Sequence, residues 1–236
     1  MVSESERLKW LERRWIALNG PFQENGNDGP GQGPGWSIVD RGSSQVVTAV
    51  HGVTHARALG KSKENDANTG GLALAVGEAA GVTTAVVLRN DGREDANSDP
   101  DHPLKRELSA RRLVGRGTTL FDLHGMQDRP GLDIVVGLGP NPESALSLVE
   151  QVVSAFEAEG FRVDSDGRSR GLAGARSGTM TSWAQRSGAR AVQLEIALRN
   201  RTFLVASDRR RRLLSGFLRL LAQVPPVDFE LGSVPV

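Results

Sequence analysis

Only four histidines occur in the 236 residues, and two of them stand where an apolar run meets a glycine. Gln45 to Val50 ends on His51-Gly52, and Thr118 to Leu123 ends on His124-Gly125. Imidazole is the commonest metal ligand and the usual acid/base group near neutral pH. The glycine after each lets the chain turn without a β-carbon clash. Ends of strands in an α/β sheet are also where such sheets place their chemistry. A catalytic zinc ion takes three protein ligands and keeps a fourth position for water. His51 and His124 supply two. The third should be a carboxylate or histidine on a neighbouring loop, and Lys63-Glu64-Asn65-Asp66-Ala67-Asn68-Thr69 offers Glu64 and Asp66, with His55 close by. Acids before a helix are favoured by its dipole even without a metal, so spacing alone leaves both open.

Glu195 is the next anomaly, in the middle of the apolar run Ala191 to Ala197. An unpaired buried carboxylate is costly. The run is therefore either an edge strand with Gln193 and Glu195 on its wet face, or a strand that carries a general base to a metal-activated water. Arg57, Arg89, Arg93 and Asn97 lie on loops after candidate strands. Arginine grips a carboxylate through two parallel hydrogen bonds, so these residues could anchor an acidic substrate; each alone reads as a solvated side chain. Asp95 to Pro103 is a turn-forming loop. Arg209 to Arg212 is the chain's one basic block and reads as a solvated helix face, with no nucleic-acid partner implied.

These residues need a scaffold. Glu4 to Leu18 has the apolar spacing of a helix, and Asn19 to Gly35, rich in Gly, Pro and Asn, reads as a flexible connector or a lid, composition favouring the connector. Ser37–Val39 and Gln45–Val50 read as strands, then Gly70–Ala80 as a helix capped by Thr69. Thr83–Leu88 has the uniformly apolar character of a strand covered on both faces. A basic helix over Leu104–Val114 precedes the His124 strand. Asp133–Leu138, a helix over Ser144–Glu159 stopped by Gly160, and a short strand at Phe161–Val163 come next. Thr179–Arg186, Ala191–Ala197 and Ser207–Leu221 read as helix, strand and helix. The alternation predicts a three-layer α/β fold, a largely parallel mixed sheet with helices on both faces. The predicted organisation is an N-terminal helix and connector over 1–35, an α/β domain over 36–224 and a tail over 225–236.

Composition narrows the chemistry. The net charge is +1 and cysteine is absent, so thiol catalysis and disulfides are excluded and any metal must take nitrogen and oxygen ligands. No apolar run approaches the ~20 residues of a membrane span. A soluble, cytoplasmic protein without membrane or nucleic-acid partners is expected, its oligomeric state open. No phosphate-loop or dinucleotide fingerprint and no Gly-x-Ser-x-Gly elbow occurs.

The ordered set of His-Gly, an acid before a helix, Asp122-Leu123-His124-Gly125 and Gln193-Leu194-Glu195 resembles the N-formylglutamate amidohydrolase family. That family is related to poly-γ-glutamate hydrolases and, more distantly, to zinc carboxypeptidases. The resemblance spans roughly His51 to Arg199. Lys63-x-x-Asp66-x-x-Thr69-Gly70 is similar to the family pattern after its first histidine, which favours Asp66 over Glu64. The resemblance implies a zinc-carboxypeptidase-like (phosphorylase/hydrolase-like) fold, one zinc ion on His51, Asp66 and His124, and Glu195 as the catalytic glutamate. Arg57, Arg89, Asn97 and Gln193 would then be the substrate contacts. The implied reaction is cleavage of an amide or formamide bond in a small N-acylated, acidic amino acid or γ-glutamyl-like compound. Two departures stand out: Ser98 replaces the arginine that often follows the asparagine, and Thr54 occupies the glutamate position of the carboxypeptidase His-x-x-Glu. The missing arginine after Asn97 and the open choice of third ligand keep in play a non-catalytic protein that binds a small acidic ligand or a protein partner. A carboxypeptidase-like peptidase is the third reading, disfavoured by the absence of tyrosine.

Overall fold

The computed structural model describes residues 3–57, 61–92, 95–165, 172–204 and 207–222. The expected tail over 225–236 lies outside them. Seven strands form one sheet: β1 (Trp36–Val39), β2 (Gln45–Ala49), β5 (Thr83–Val87), β6 (Thr119–Met126), β7 (Ile134–Gly137), β8 (Val163–Asp164) and β9 (Arg190–Ala197). A separate two-stranded ribbon holds β3 (His55–Arg57) and β4 (Lys61–Lys63). The sheet order is β1-β5-β2-β6-β9-β7-β8. The four central strands run parallel; β1 is antiparallel to β5 and β7 to β9, while β8 runs parallel to β7.

The helices are α1 (Glu4–Asn27), α2 (Thr69–Ala80), α3 (Pro103–Ala110), α4 (Leu146–Glu157), α5 (Met180–Arg186), α6 (Leu198–Arg201) and α7 (Ser207–Leu221). One layer contains α1, α2, α4 and α7, which pack on one another, while α5 packs on β6 and β9. The crossover from β2 through α2 moves to β5, and the next, through α3, returns past β2 to β6. Right-handed crossovers running in opposite directions place their helices on opposite faces. Between β2 and β6 lies the switch point, the crevice where open α/β sheets bind ligands. No helix among the described residues is long and apolar enough to cross a membrane.

Several expectations shift. The first helix continues through 19–27, kinked at Glu24–Gly26, where composition favours a connector. Phe22 is fully buried in a slot made by Gly52 and Gly70, where a Cβ would overlap its ring. The segment after the helix is docked too, through Asn90 N–H to the Asp28 carbonyl at 2.8 Å and Leu88 N–H to the Gly35 carbonyl at 2.9 Å. Packing, not local propensity, decides this stretch. Thr69 is the first residue of α2 rather than its cap; Asn68 precedes it in a left-handed conformation, φ 68°. The basic helix stops at Ala110, with Arg112 at φ 58°. Strand β9 is interior, between β6 and β7, which removes the edge-strand reading of Glu195.

Candidate metal centre

Parallel register decides which side chains share a face, since residues paired across parallel strands point the same way. Thr48 of β2, Asp122 of β6 and Gln193 of β9 form one row, and His124 and Glu195 the next row toward the strand ends. His51 arrives from the turn two residues beyond β2, and Asp66 from the loop that leads into α2. Asp66 N–H donates to the His51 carbonyl at 2.7 Å, tying these loops together.

The side chains converge. His51 Nδ1 lies 3.3 Å and His124 Nδ1 3.0 Å from the same oxygen, Asp66 Oδ2. One ligand atom from each of the three fits within 4.8 Å of the others. Ligands about 2.0–2.1 Å from one tetrahedral ion stand roughly 3.3 Å apart, so these separations suit a shared cation. His51 Nδ1 is buried and has no hydrogen-bond partner, as expected of a lone pair reserved for a ligand position.

Each histidine is held from behind. His51 Nε2 meets Asp95 Oδ1 at 2.8 Å, and His124 Nε2 meets Asp122 Oδ2 at 3.0 Å. Donating Nε2–H to a carboxylate fixes the tautomer that leaves Nδ1 free, the usual support for a metal-binding imidazole. Asp122 is completely buried and also accepts from Thr48 Oγ1 at 2.7 Å. Asp95 accepts from Asn97 N–H at 2.7 Å and from Ser98 Oγ at 3.2 Å. Burial alone would disfavour ionisation throughout, and the partners outweigh it. Both histidines are raised above the ordinary imidazole range by their flanking aspartates. Asp66 and Asp95 are held well below the carboxylate range by the histidines beside them. A pocket that raises imidazoles and ionises acids favours positive charge.

A second group, His51, His55 and Asp95, is also close enough to be considered. Its two rings stack, centroids 3.9 Å apart and 3° from parallel. Their in-plane lone pairs therefore run side by side instead of converging. Burial and His51 push His55 down to about 4, so it is neutral at physiological pH. The fourth histidine, His102, caps α3 by accepting Leu104 N–H.

Glu195 stands beside His124 across the β6–β9 pair, buried, and accepts from Gln193 Nε2 at 2.7 Å. Burial pushes its carboxyl up despite the opposing charge of His124. Gln193 Oε1 is buried without a partner. Asn97 accepts Met180 N–H through Oδ1 at 2.7 Å, which turns its amide nitrogen toward His124, 3.4 Å from Nε2. The structure thus brings together His51, Asp66, His124, Glu195, Gln193 and Asn97. Glu64 is exposed and outside the cluster. Arg89 donates to the Gly31 carbonyl at 3.3 Å. The side chain of Arg57 and all of Arg93 lie outside the described residues. Sequence reasoning gave no role to Asp95, Asp122, Lys105 or Arg201. Lys105 is buried, donates to the Asp99 and Gly178 carbonyls at 2.8 and 2.5 Å, and is pushed down to about 8 by burial.

No protein-family model and no curated protein sequence matches the chain. Solved structures do. A bacteriophage poly-γ-glutamate hydrolase is 15% identical over 82% of this chain and 91% of its own, with a TM-score of 0.53. An N-formylglutamate amidohydrolase from Ralstonia eutropha is 15% identical over 80% and 97%, TM-score 0.51. A gene product of Agrobacterium tumefaciens gives 14% over 81% and 93%, TM-score 0.55. At these identities the likeness establishes a shared fold: the mostly parallel, mixed seven-stranded sheet with helices described above.

Proposed function

We propose that this chain is a metal-dependent hydrolase that uses one zinc ion to cleave an amide or formamide bond of a small N-acylated, acidic amino acid or γ-glutamyl-like compound. One observation carries the reading: two imidazole Nδ1 atoms and a carboxylate oxygen converge at the switch point, with a buried glutamate in the adjacent strand. Nitrogen and oxygen donors in that ratio suit zinc. Two proteins of the same fold are named for glutamate-derived amides, which supports the substrate class.

His51, Asp66 and His124 would hold the ion. When bound, it would supply a Lewis acid and a water of near-neutral pKa. Glu195 accepts the proton of the attacking water and returns it to the departing nitrogen, a role suited to a desolvated carboxylate. The Gln193 amide orients Glu195. The Asn97 amide, pinned by Met180 N–H, offers a fixed donor to the substrate. Asp95 and Asp122 keep the two imidazoles turned.

The test couples metal content to a panel of N-formyl- and N-acetylglutamate and γ-glutamyl dipeptides. The expected result is about one zinc per chain, lost in His124→Ala. Glu195→Gln should keep its zinc and lose about 10²–10⁴ in turnover. A wild type that neither carries nor takes up zinc overturns the reading. A non-catalytic binding role is the second reading, favoured by Ser98: its hydroxyl is engaged by Asp95, so this position supplies no cation for a substrate carboxylate. Zinc uptake without turnover of any compound would support it.

A further inference from the structure

Arg201 ends the four-residue helix α6 and is only 3% exposed. Its guanidinium donates to main-chain carbonyls of three separate segments: Nη1 to Ala67, Nε to Ile196 at 3.1 Å and Nη2 to Met126 at 3.4 Å. Each carbonyl belongs to a residue one or two positions from a member of the candidate centre. Ala67 follows Asp66, Ile196 follows Glu195, and Met126 lies two residues past His124. Between His124 and Met126 sits Gly125, where a Cβ would overlap the guanidinium. The arginine's own carbonyl accepts Asn68 Nδ2 at 2.7 Å. Asn68 is in turn held by Asn19 Nδ2 at 2.7 Å and by Trp15 Nε1 on its carbonyl at 2.9 Å.

A buried cation is costly unless its hydrogen bonds are met. Here they are met by carbonyls of three separate segments, joined by this one side chain. A rigid, planar fork fixes the directions of those carbonyls, which a flexible ammonium does not do. We infer that Arg201 is a positioning residue that sets the mutual placement of Asp66, His124 and Glu195, and that Gly125 is the notch that admits it. That Arg201 makes a metal site rigid rests on the function proposed above, but the placement itself is independent of any ion.

The experiment compares wild type with Arg201→Met, Arg201→Lys and Gly125→Ala, using Val152→Ala, a buried residue of α4, as a destabilised control. Zinc affinity and the visible absorption of the cobalt(II)-loaded protein report on the ligands. Long-range ¹H–¹⁵N spectra of the metal-free protein at one pH report the tautomer and surroundings of each imidazole. Arg201→Met should weaken zinc binding by about 10–100-fold, as loss of outer support typically does. It should also change the cobalt spectrum and shift the His51 and His124 ring resonances without metal. Gly125→Ala should do the same although Arg201 is retained, and Arg201→Lys should recover only part of the affinity. Val152→Ala should lower the melting temperature and leave all three readouts in place. Wild-type zinc affinity and ring resonances in Gly125→Ala and in the arginine variants would overturn the inference. Should Arg201→Met fail to fold, the lysine and glycine variants decide. Should wild type bind no zinc, the hydrolase reading falls, and the metal-free ring resonances still decide the role of Arg201.

Discussion

The two nitrogens of each imidazole have different tasks, and the carboxylates behind them assign those tasks. Asp122 is the sharper case because it is fully buried and has Thr48 as a second partner. Its negative charge, facing His124 Nε2–H, raises the basicity of Nδ1 on the ligand side. Asp122→Asn preserves the shape and removes the charge. Zinc affinity is expected to fall by about tenfold or more with the fold intact. Competition against a chromophoric chelator measures it, and an unchanged dissociation constant would contradict the assignment. Asp122 was legible in principle: it is two residues before His124, so on a strand it must share that face. Asp95 was not, since its approach to His51 depends on two loops whose path no local pattern encodes. Glu195 was visible as an anomaly, and only the strand order showed that it is interior.

Elements that look incidental set the loops of the centre. Helix α1 has a clear 3.6-residue period up to Leu18, then meets Gly20, Pro21 and Gly26, which weaken or break isolated helices. Tertiary packing overrides that preference. Phe22 drops into the slot of Gly52 and Gly70, glycines next to His51 and at the start of α2, and Thr54 N–H donates to the Asn27 carbonyl at 2.8 Å. Phe22→Ala should cost about 3–5 kcal/mol, the range for emptying a buried phenylalanine site, as measured by urea unfolding. It should also weaken zinc binding. Phe217→Ala, emptying a core site against Phe156, should cost a similar amount and leave zinc affinity alone. Equal effects of the two on zinc would show that the arm stabilises the protein without shaping the site. The long apolar strands and amphipathic helices were readable from periodicity. The β3–β4 ribbon and α6 were not, being three or four residues long and fixed by what they touch.

At the scale of the whole molecule, the topology collects charge that the sequence scatters. Asp66, Asp95, Asp122 and Glu195, separated by up to 129 positions in the chain, all end within one buried neighbourhood with three histidines. The sheet order makes this so, because the switch point between β2 and β6 brings the loop after β2, the sixth strand and the ninth strand side by side. Parallel packing with helices on both faces was predictable from apolar runs alternating with helices; the strand order was not, because no residue pattern specifies which strand neighbours which. The folded chain alone presents these ligands together. Metal binding must then stabilise the fold by mass action. At free zinc a thousandfold above the dissociation constant the gain is about 4 kcal/mol. For a chain of this size each kcal/mol moves the melting temperature by roughly 2–4 °C, so calorimetry should find the zinc-loaded protein melting about 10 °C above the chelated one. The shift should grow with the logarithm of free zinc and vanish in His124→Ala. A melting temperature indifferent to zinc in the wild type would mean that these carboxylates and imidazoles satisfy one another, and that the cluster is a hydrogen-bonded core and not a metal centre.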